Sequence, residues 1–252
     1  MDLNVYLNRI GFSGTPKADY ETLCKLQTLH MQSIPYENLD IMRNIPVSLQ
    51  KEDMFKKTIL GKRGGYCFEL NSLFSWILQE IGFNITNYMA RFWRDEQNPP
   101  PMRRHHVLRI ECKDGVFLGD VGVGGIVPRI PLEIVENKIS EQNGESYKLC
   151  KEEFFGWMLY ELKRGEWQKL YSFAEEPQLD LDYIMPSFYC EKYPDSFFKS
   201  MDMVHIFTKD GRKSVADREV KLFTKTDVEI IIPKDDNHYK ELLELHFNIK
   251  LT

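Results

Sequence analysis

Apolar positions between residues 1 and 84 recur at helical spacing. Tyr20, Leu23, Leu26, Leu29 and Met31 form one loose face that stops at Ile34-Pro35, where the proline pushes its neighbour into extended backbone. A stronger face follows. Leu70, Leu73, Phe74, Ile77, Leu78 and Ile81 lie three and four residues apart, and Gly82 stands where a helix would end. This spacing predicts a helix that begins near Cys67, which shares the apolar face. From Phe83 the period changes to short alternating or β-branched runs bounded by Pro, Gly and Asp. The clearest unit is a hairpin: an apolar run at 107–112, the turn Lys113-Asp114-Gly115, and a second run at 116–121. A polar, proline-rich loop at 94–104 leads into it. Strands near 204–207 and 229–232 and a short helix near 238–246 predict a small mixed α/β segment at the end.

Composition narrows the class. With 252 residues, 42% of them apolar, the chain can bury one large core or two to three small ones. Lysine and arginine number 33 against 38 acidic residues, a net charge of -5 with no long basic run, which argues against a nucleic-acid partner. No stretch approaches the length of apolar residues needed to span a membrane, and Met1-Asp2-Leu3-Asn4-Val5-Tyr6 lacks the basic and apolar segments of a secretion signal. The expectation is a cytoplasmic protein with no membrane partner. The cysteines, Cys24, Cys67, Cys112, Cys150 and Cys190, are odd in number and widely spaced, which predicts neither a disulfide framework nor a metal site.

Cys67 is the candidate nucleophile. It follows Arg63-Gly64-Gly65-Tyr66 on the first turn of the predicted helix, where unsatisfied N–H groups and about half a positive charge favour a thiolate. The local pattern alone serves equally for a buried, inert cysteine. A nucleophilic thiol needs a base, and the base needs an orienting group. His105 and His106 open the hairpin and Asp120 closes it, so antiparallel pairing brings a histidine to an aspartate. Strand parity bears on which one. A two-residue turn places Asp120 on the face of His105, whereas a three-residue loop with a bulge at Gly115 selects His106. Parity leaves both open. His30 and His246 on helices and His205 on a strand read as structural.

These residues resemble a known family, the arylamine N-acetyltransferases. Tyr6-Leu7-Asn8-Arg9-Ile10-Gly11 is similar to the family's opening segment. His30 with Ile34-Pro35-Tyr36-Glu37-Asn38-Leu39 resembles its His-x-x-x-Ile-Pro-Phe-Glu-Asn-Leu signature, and Arg63 through Asn71 resembles its active-site segment almost residue for residue. His105-His106-Val107-Leu108-Arg109-Ile110 fits the pattern His-x-Val-Leu-x-Val without a gap, which favours His105 over His106. Asp120 to Gly125 resembles Asp-Val-Gly-Phe-Gly-Gly, with Val123 in place of the phenylalanine, a departure that bears on acceptor specificity. The C-terminal third matches only in scattered positions.

The resemblance implies an α+β fold of three domains: a helical domain at 1–84 carrying the nucleophile, a β-barrel at 85–190 carrying histidine and aspartate, and an α/β lid at 191–252. It implies an enzyme that uses acetyl-coenzyme A to acetylate a small aromatic amine or hydrazine through Cys67, His105 and Asp120. The chain has no GxGxxG or Walker loop for the coenzyme. Met102, Arg103 and Arg104, before His105, and the backbone at Gly124 are the candidate coenzyme contacts. Two rivals share the same residues: a cysteine amidase or protease of transglutaminase or papain type, and a noncatalytic binding protein with an inert thiol.

Overall fold

The computed structural model describes residues 2–94 and 100–251, so part of the proline-rich loop lies outside the described residues. Five helical segments come first. α1 (Leu3–Ile10) and α2 (Tyr20–Ser33) each start on an aspartate: Asp2 accepts from Asn4 N, and Asp19 from Thr22 N at 3.0 Å. Each such cap satisfies an otherwise orphaned donor. A two-residue strand, β1 (Tyr36–Glu37), and a single turn, α3 (Leu39–Met42), follow. α4 (Lys51–Phe55) widens into a π-helical turn at Lys56–Leu60. α5 (Cys67–Ile81) begins at the predicted cysteine and ends at Gly82, whose φ of 106° is open only to glycine without strain.

The strand region forms one eight-stranded antiparallel sheet. Its members are β2 (Asn84–Phe92), β3 (Arg103–Cys112), β4 (Gly115–Gly119), β5 (Leu132–Glu133), β6 (Ser140–Gln142), β7 (Glu145–Glu152), β8 (Gly156–Lys163) and β9 (Glu166–Pro177). They run in the order β5-β4-β3-β2-β9-β8-β7-β6. A bridge between Glu136 and Leu149 ties the chain just after β5 to β7, nearly closing the sheet into a barrel. Tyr147, Leu149, Leu159, Leu170 and Phe173 are buried in the same core as Leu70, Leu73 and Phe74 of α5, so helices and barrel share one apolar interior. α6 (Ile184–Lys192) then lays Ser187 against the Tyr66 hydroxyl, at the foot of α5.

A second sheet ends the chain. β10 (Met203–Phe207), β11 (Arg212–Ala216), β12 (Glu219–Phe223) and β13 (Val228–Ile231) form an antiparallel meander backed by α7 (Asp236–Phe247). Val204, Val215 and Val220 pack on Leu242, Leu243 and Phe247 in a separate small core. The meander gains a fifth strand from the far end of the sequence: β1 pairs with β10, Tyr36 opposite His205 and Glu37 opposite Val204. The architecture is the expected α+β arrangement of helices, barrel and α/β segment. Among the described residues no helix is long and apolar enough to cross a membrane.

Two buried histidines make this fold sensitive to acid. His30 shares a hydrogen bond with the Tyr6 hydroxyl at 2.9 Å, and burial, reinforced by Arg9, lowers its pKa to about 3. Burial and then Arg212, Arg129 and Arg94 lower His205 to about 3 as well. The unfolded chain takes up these protons near pH 6.5, whereas the folded chain refuses them until about 3. Their stabilising contribution is therefore complete above pH 6.5 and is lost as pH falls from there toward 3. Urea midpoints should drop between pH 7 and pH 5, and His205→Leu should flatten that dependence by up to about 1.4 kcal/mol per pH unit.

Candidate active site

The start of α5 is fixed by a cluster of buried charges. Arg63 grips Glu37 with two bonds, Nε to Oε1 at 2.8 Å and Nη2 to Oε2 at 3.0 Å, and reaches Asp40 Oδ1 at 2.7 Å. Lys57, projecting from the π-helical turn, lies 2.7 Å from Asp40 Oδ2 and 2.8 Å from Glu69 Oε1. The other Glu69 oxygen accepts from Tyr66 N at 3.2 Å, the backward half of a capping box. Gly64 allows the approach that brings these groups together: a Cβ there would lie 2.0 Å from the Pro35 carbonyl oxygen. The turn before Cys67 is thus set from both sides, and the thiol sits on the first turn, 2% exposed.

β3 supplies the candidate base. Cys112 pairs with Gly115 across a two-residue turn, and Leu108 faces Gly119, so Asp120 continues opposite Val107 and shares the face of His105. His105 Nε2 lies 2.7 Å from Asp120 Oδ2. His106 points the other way, 3.0 Å from Asn87 Oδ1 and stacked on Tyr183. Burial and then the neighbouring His105 hold it well below the usual histidine range, a neutral structural residue.

Asp120 is satisfied on both oxygens. Its Oδ1 accepts from Asn71 Nδ2 at 2.8 Å and from Gly122 N at 2.8 Å. Asn71 spends the rest of its amide on backbone, giving a bond to the His106 carbonyl at 2.7 Å and accepting from Val121 N at 2.8 Å. Gln27 of α2 accepts from Asp120 N at 3.4 Å. The sequence reading did not single out Asn71 or Gln27. Asn71 carried a signal nonetheless, one turn beyond Cys67 as a polar residue on an otherwise apolar helix face.

These groups open on a cleft of ≈ 340 Å³ lined by Cys67, His105, Phe92, Val123, Phe197 and Phe198, among others. Gly122 presses on Cys67, since a Cβ there would lie 2.7 Å from Cys67 Cα. Asn38, a third residue without an assigned role in the sequence, pins the far wall: its amide donates to the carbonyls of Phe198 at 2.8 Å and Met201 at 2.9 Å and accepts from Met203 N at 2.7 Å. Of the candidate coenzyme contacts, Arg104 and Gly124 line the cleft. Met102 and Arg103 do not. Neighbours on a strand face opposite ways, and Arg103 turns outward to pair with Glu176 at 2.8 Å while Met102 is half-exposed at the strand's start.

Burial raises the Cys67 thiol well above its ordinary pKa, with Cys190 and Asp120 adding to the effect. The backbone N–H groups of His106 and Phe68 work the other way. The thiol therefore ionises only where a neighbouring group takes its proton and keeps the resulting charge close.

A family sequence model described as N-acetyltransferase matches residues 19–252. The arylamine N-acetyltransferase of Mycolicibacterium smegmatis is 36% identical over 225 residues, 87% of this chain and 82% of that protein. The chain belongs to the arylamine N-acetyltransferase family. The relative from Escherichia coli K12 is 32% identical over 84% of this chain and 75% of its own length. The family fold is matched throughout. The Salmonella typhimurium enzyme superposes with a TM-score of 0.93 at 27% identity, covering 98% of this chain and 90% of its own. A Mycobacterium marinum arylamine N-acetyltransferase in complex with CoA superposes at 0.90 with 30% identity, covering 98% and 93%.

Within this family fold, Asn71 holds the carboxylate that holds His105. Asn71→Leu removes three hydrogen bonds in a buried setting and should cost about 2–4 kcal/mol of unfolding free energy in urea titration, since groups are left unpaired rather than replaced. A loss below about 0.5 kcal/mol would show that water replaces the amide.

Proposed function

We propose that this chain transfers the acetyl group of acetyl-coenzyme A to an aromatic amine or hydrazine by a ping-pong route through S-acetylated Cys67. One observation carries the reading: a thiol and a histidine line one cleft, and the histidine is fixed by a carboxylate 2.7 Å away. His105 takes the thiol proton. The imidazolium formed is stabilised by Asp120, whose other oxygen is already occupied by Asn71 and Gly122 and cannot draw the ring aside. The thiolate attacks the thioester carbonyl, coenzyme A leaves, and the acetyl group stays on sulfur. Both are thioesters of similar energy, so the intermediate keeps its reactivity for the amine. The amine then attacks, His105 removes its proton, and the thiolate leaves.

The N–H groups of Phe68 and His106, which favour the thiolate, would steady the oxyanion of both steps. Arg104 and Gly124 are the coenzyme contacts the cleft offers. The acceptor lies among Phe92, Val123, Phe197 and Phe198, with Val123 leaving more room than an aromatic side chain. We assign the enzyme to the cytoplasm. We divide it into domains at 1–84, 85–190 and 191–252, with β1 reaching from the first into the sheet of the third.

Mass spectrometry after mixing with acetyl-coenzyme A alone should show one added acetyl group, located on Cys67, and addition of an aromatic amine should remove it and yield acetylated amine. No acetyl uptake, together with cleavage of an amide substrate, would favour a thiol hydrolase. An inert Cys67, alkylated by iodoacetamide no faster than the other cysteines, would favour a binding protein.

Roles within the site separate by substitution. His105→Ala should abolish acetyl transfer while His106→Gln retains it, measured by coenzyme A release. Asp120→Asn should lower the rate by about three to four orders of magnitude through loss of tautomer control. A fall of less than tenfold for Asp120→Asn would remove Asp120 from the mechanism.

A further inference from the structure

Tyr36 stands in β1 where the resembled signature has phenylalanine, so this cleft carries a hydroxyl that the signature lacks. The residue is held on three sides. Its backbone pairs with His205 on one edge and bridges to Gly65 on the other, two residues before Cys67. Gly124 packs against its edge so closely that a Cβ would lie 2.5 Å from Cε1 and 3.2 Å from Cζ. Its hydroxyl makes no hydrogen bond among the described residues, although Tyr36 as a whole is only 9% exposed. The hydroxyl is not among the buried polar atoms left without a partner, so it opens on the cleft and is free to donate to a group bound there.

What accepts is indicated by the neighbours. Tyr36 and Cys67 line the same cleft, and after burial the charge of Cys67 is the largest electrostatic influence on the phenol. No hydrogen bond joins them. Both residues face one cleft of ≈ 340 Å³, which is the space a group bonded to the sulfur would enter.

We propose that the Tyr36 hydroxyl donates a hydrogen bond to the acetyl carbonyl oxygen as that oxygen becomes an oxyanion on Cys67. The inference rests on the S-acetylation assigned above. In the first half-reaction the sulfur–carbon bond forms and the carbonyl π pair moves onto oxygen, where Tyr36 meets it. The oxyanion then collapses and coenzyme A departs as its thiolate. In the second half-reaction the amine nitrogen attacks the same carbon, the same oxygen takes the electron pair, and the Cys67 thiolate departs. The phenol keeps its proton throughout, because burial raises it well above its ordinary range. Tyr36 thus acts as a third oxyanion donor beside the two backbone N–H groups, and it serves both steps.

Tyr36→Phe tests this with little risk to the fold, since it deletes one unpaired oxygen. Rapid-quench mass spectrometry would follow acetyl uptake from acetyl-coenzyme A, and then loss of acetyl from the isolated acetyl-enzyme to an aromatic amine. Both rate constants should fall by about 10- to 100-fold, less than for a site with a single donor, at an unchanged thermal midpoint. Rates within twofold of wild type in either step would overturn the proposal. A fall confined to the amine step would do the same, placing the hydroxyl on the acceptor instead. Wild-type protein that takes up no acetyl group would overturn the reading of the preceding subsection and this one with it, a failure distinct from any defect of the variant.

Discussion

The buried carboxylate of Asp120 is the point on which the site turns. One oxygen takes the base, the other takes Asn71 of α5 and the Gly122 backbone. Three parts of the chain distant in sequence therefore share one charge: the helix that carries the thiol, the strand that carries the imidazole, and the loop that covers both. A buried carboxylate left unpaired is costly, so the three can satisfy it only in one mutual arrangement. The mutual placement of Cys67 and His105 is a by-product of satisfying that charge.

A second set of buried ions does for the helix start what Asp120 does for the base. Lys57 and Arg63 meet Glu37, Asp40 and Glu69, and side-chain exposure across these pairs does not exceed 19%. Buried pairs of this kind contribute little net stability, because desolvation offsets attraction. Their effect is directional. The two-pronged Arg63–Glu37 contact fixes the angle between the chain before α3 and the turn before α5. An apolar cluster of equal volume would leave that angle, and the sulfur with it, less defined.

Much of this was legible in the sequence. The bounds of α5 followed from its apolar spacing and Gly82. The hairpin at 107–121 followed from its Asp-Gly turn, and the family pattern favoured the residue, His105, that the two-residue turn places beside Asp120. What escaped was of two kinds. Side-chain direction escaped where two like residues were adjacent: Arg103 and Arg104 read as a pair, but a strand sends them to opposite faces. Long-range pairing escaped as well. β11 and β12 carry a half-polar alternation too weak to stand out, and nothing local marks residues 36 and 37 as a strand, since their partners are at 205 and 204. Asn38 escaped for the same reason, because an amide that satisfies distant backbone looks in sequence like any surface asparagine.

The pairing of β1 with β10 bears on how the protein is made. Tyr36 leaves the ribosome early and His205 late, so the first wall of the cleft must wait for nearly the whole chain before its partner exists. Asn38 waits likewise for the carbonyls of Phe198 and Met201. The helices and the barrel can pack during synthesis, with Cys67, His105 and Asp120 already in reach of one another. The pocket around them cannot. A nascent or truncated chain lacking its last sheet would therefore hold these three side chains without the wall that completes their cleft, and the integrity of the C-terminal segment decides when the thiol becomes a guarded one.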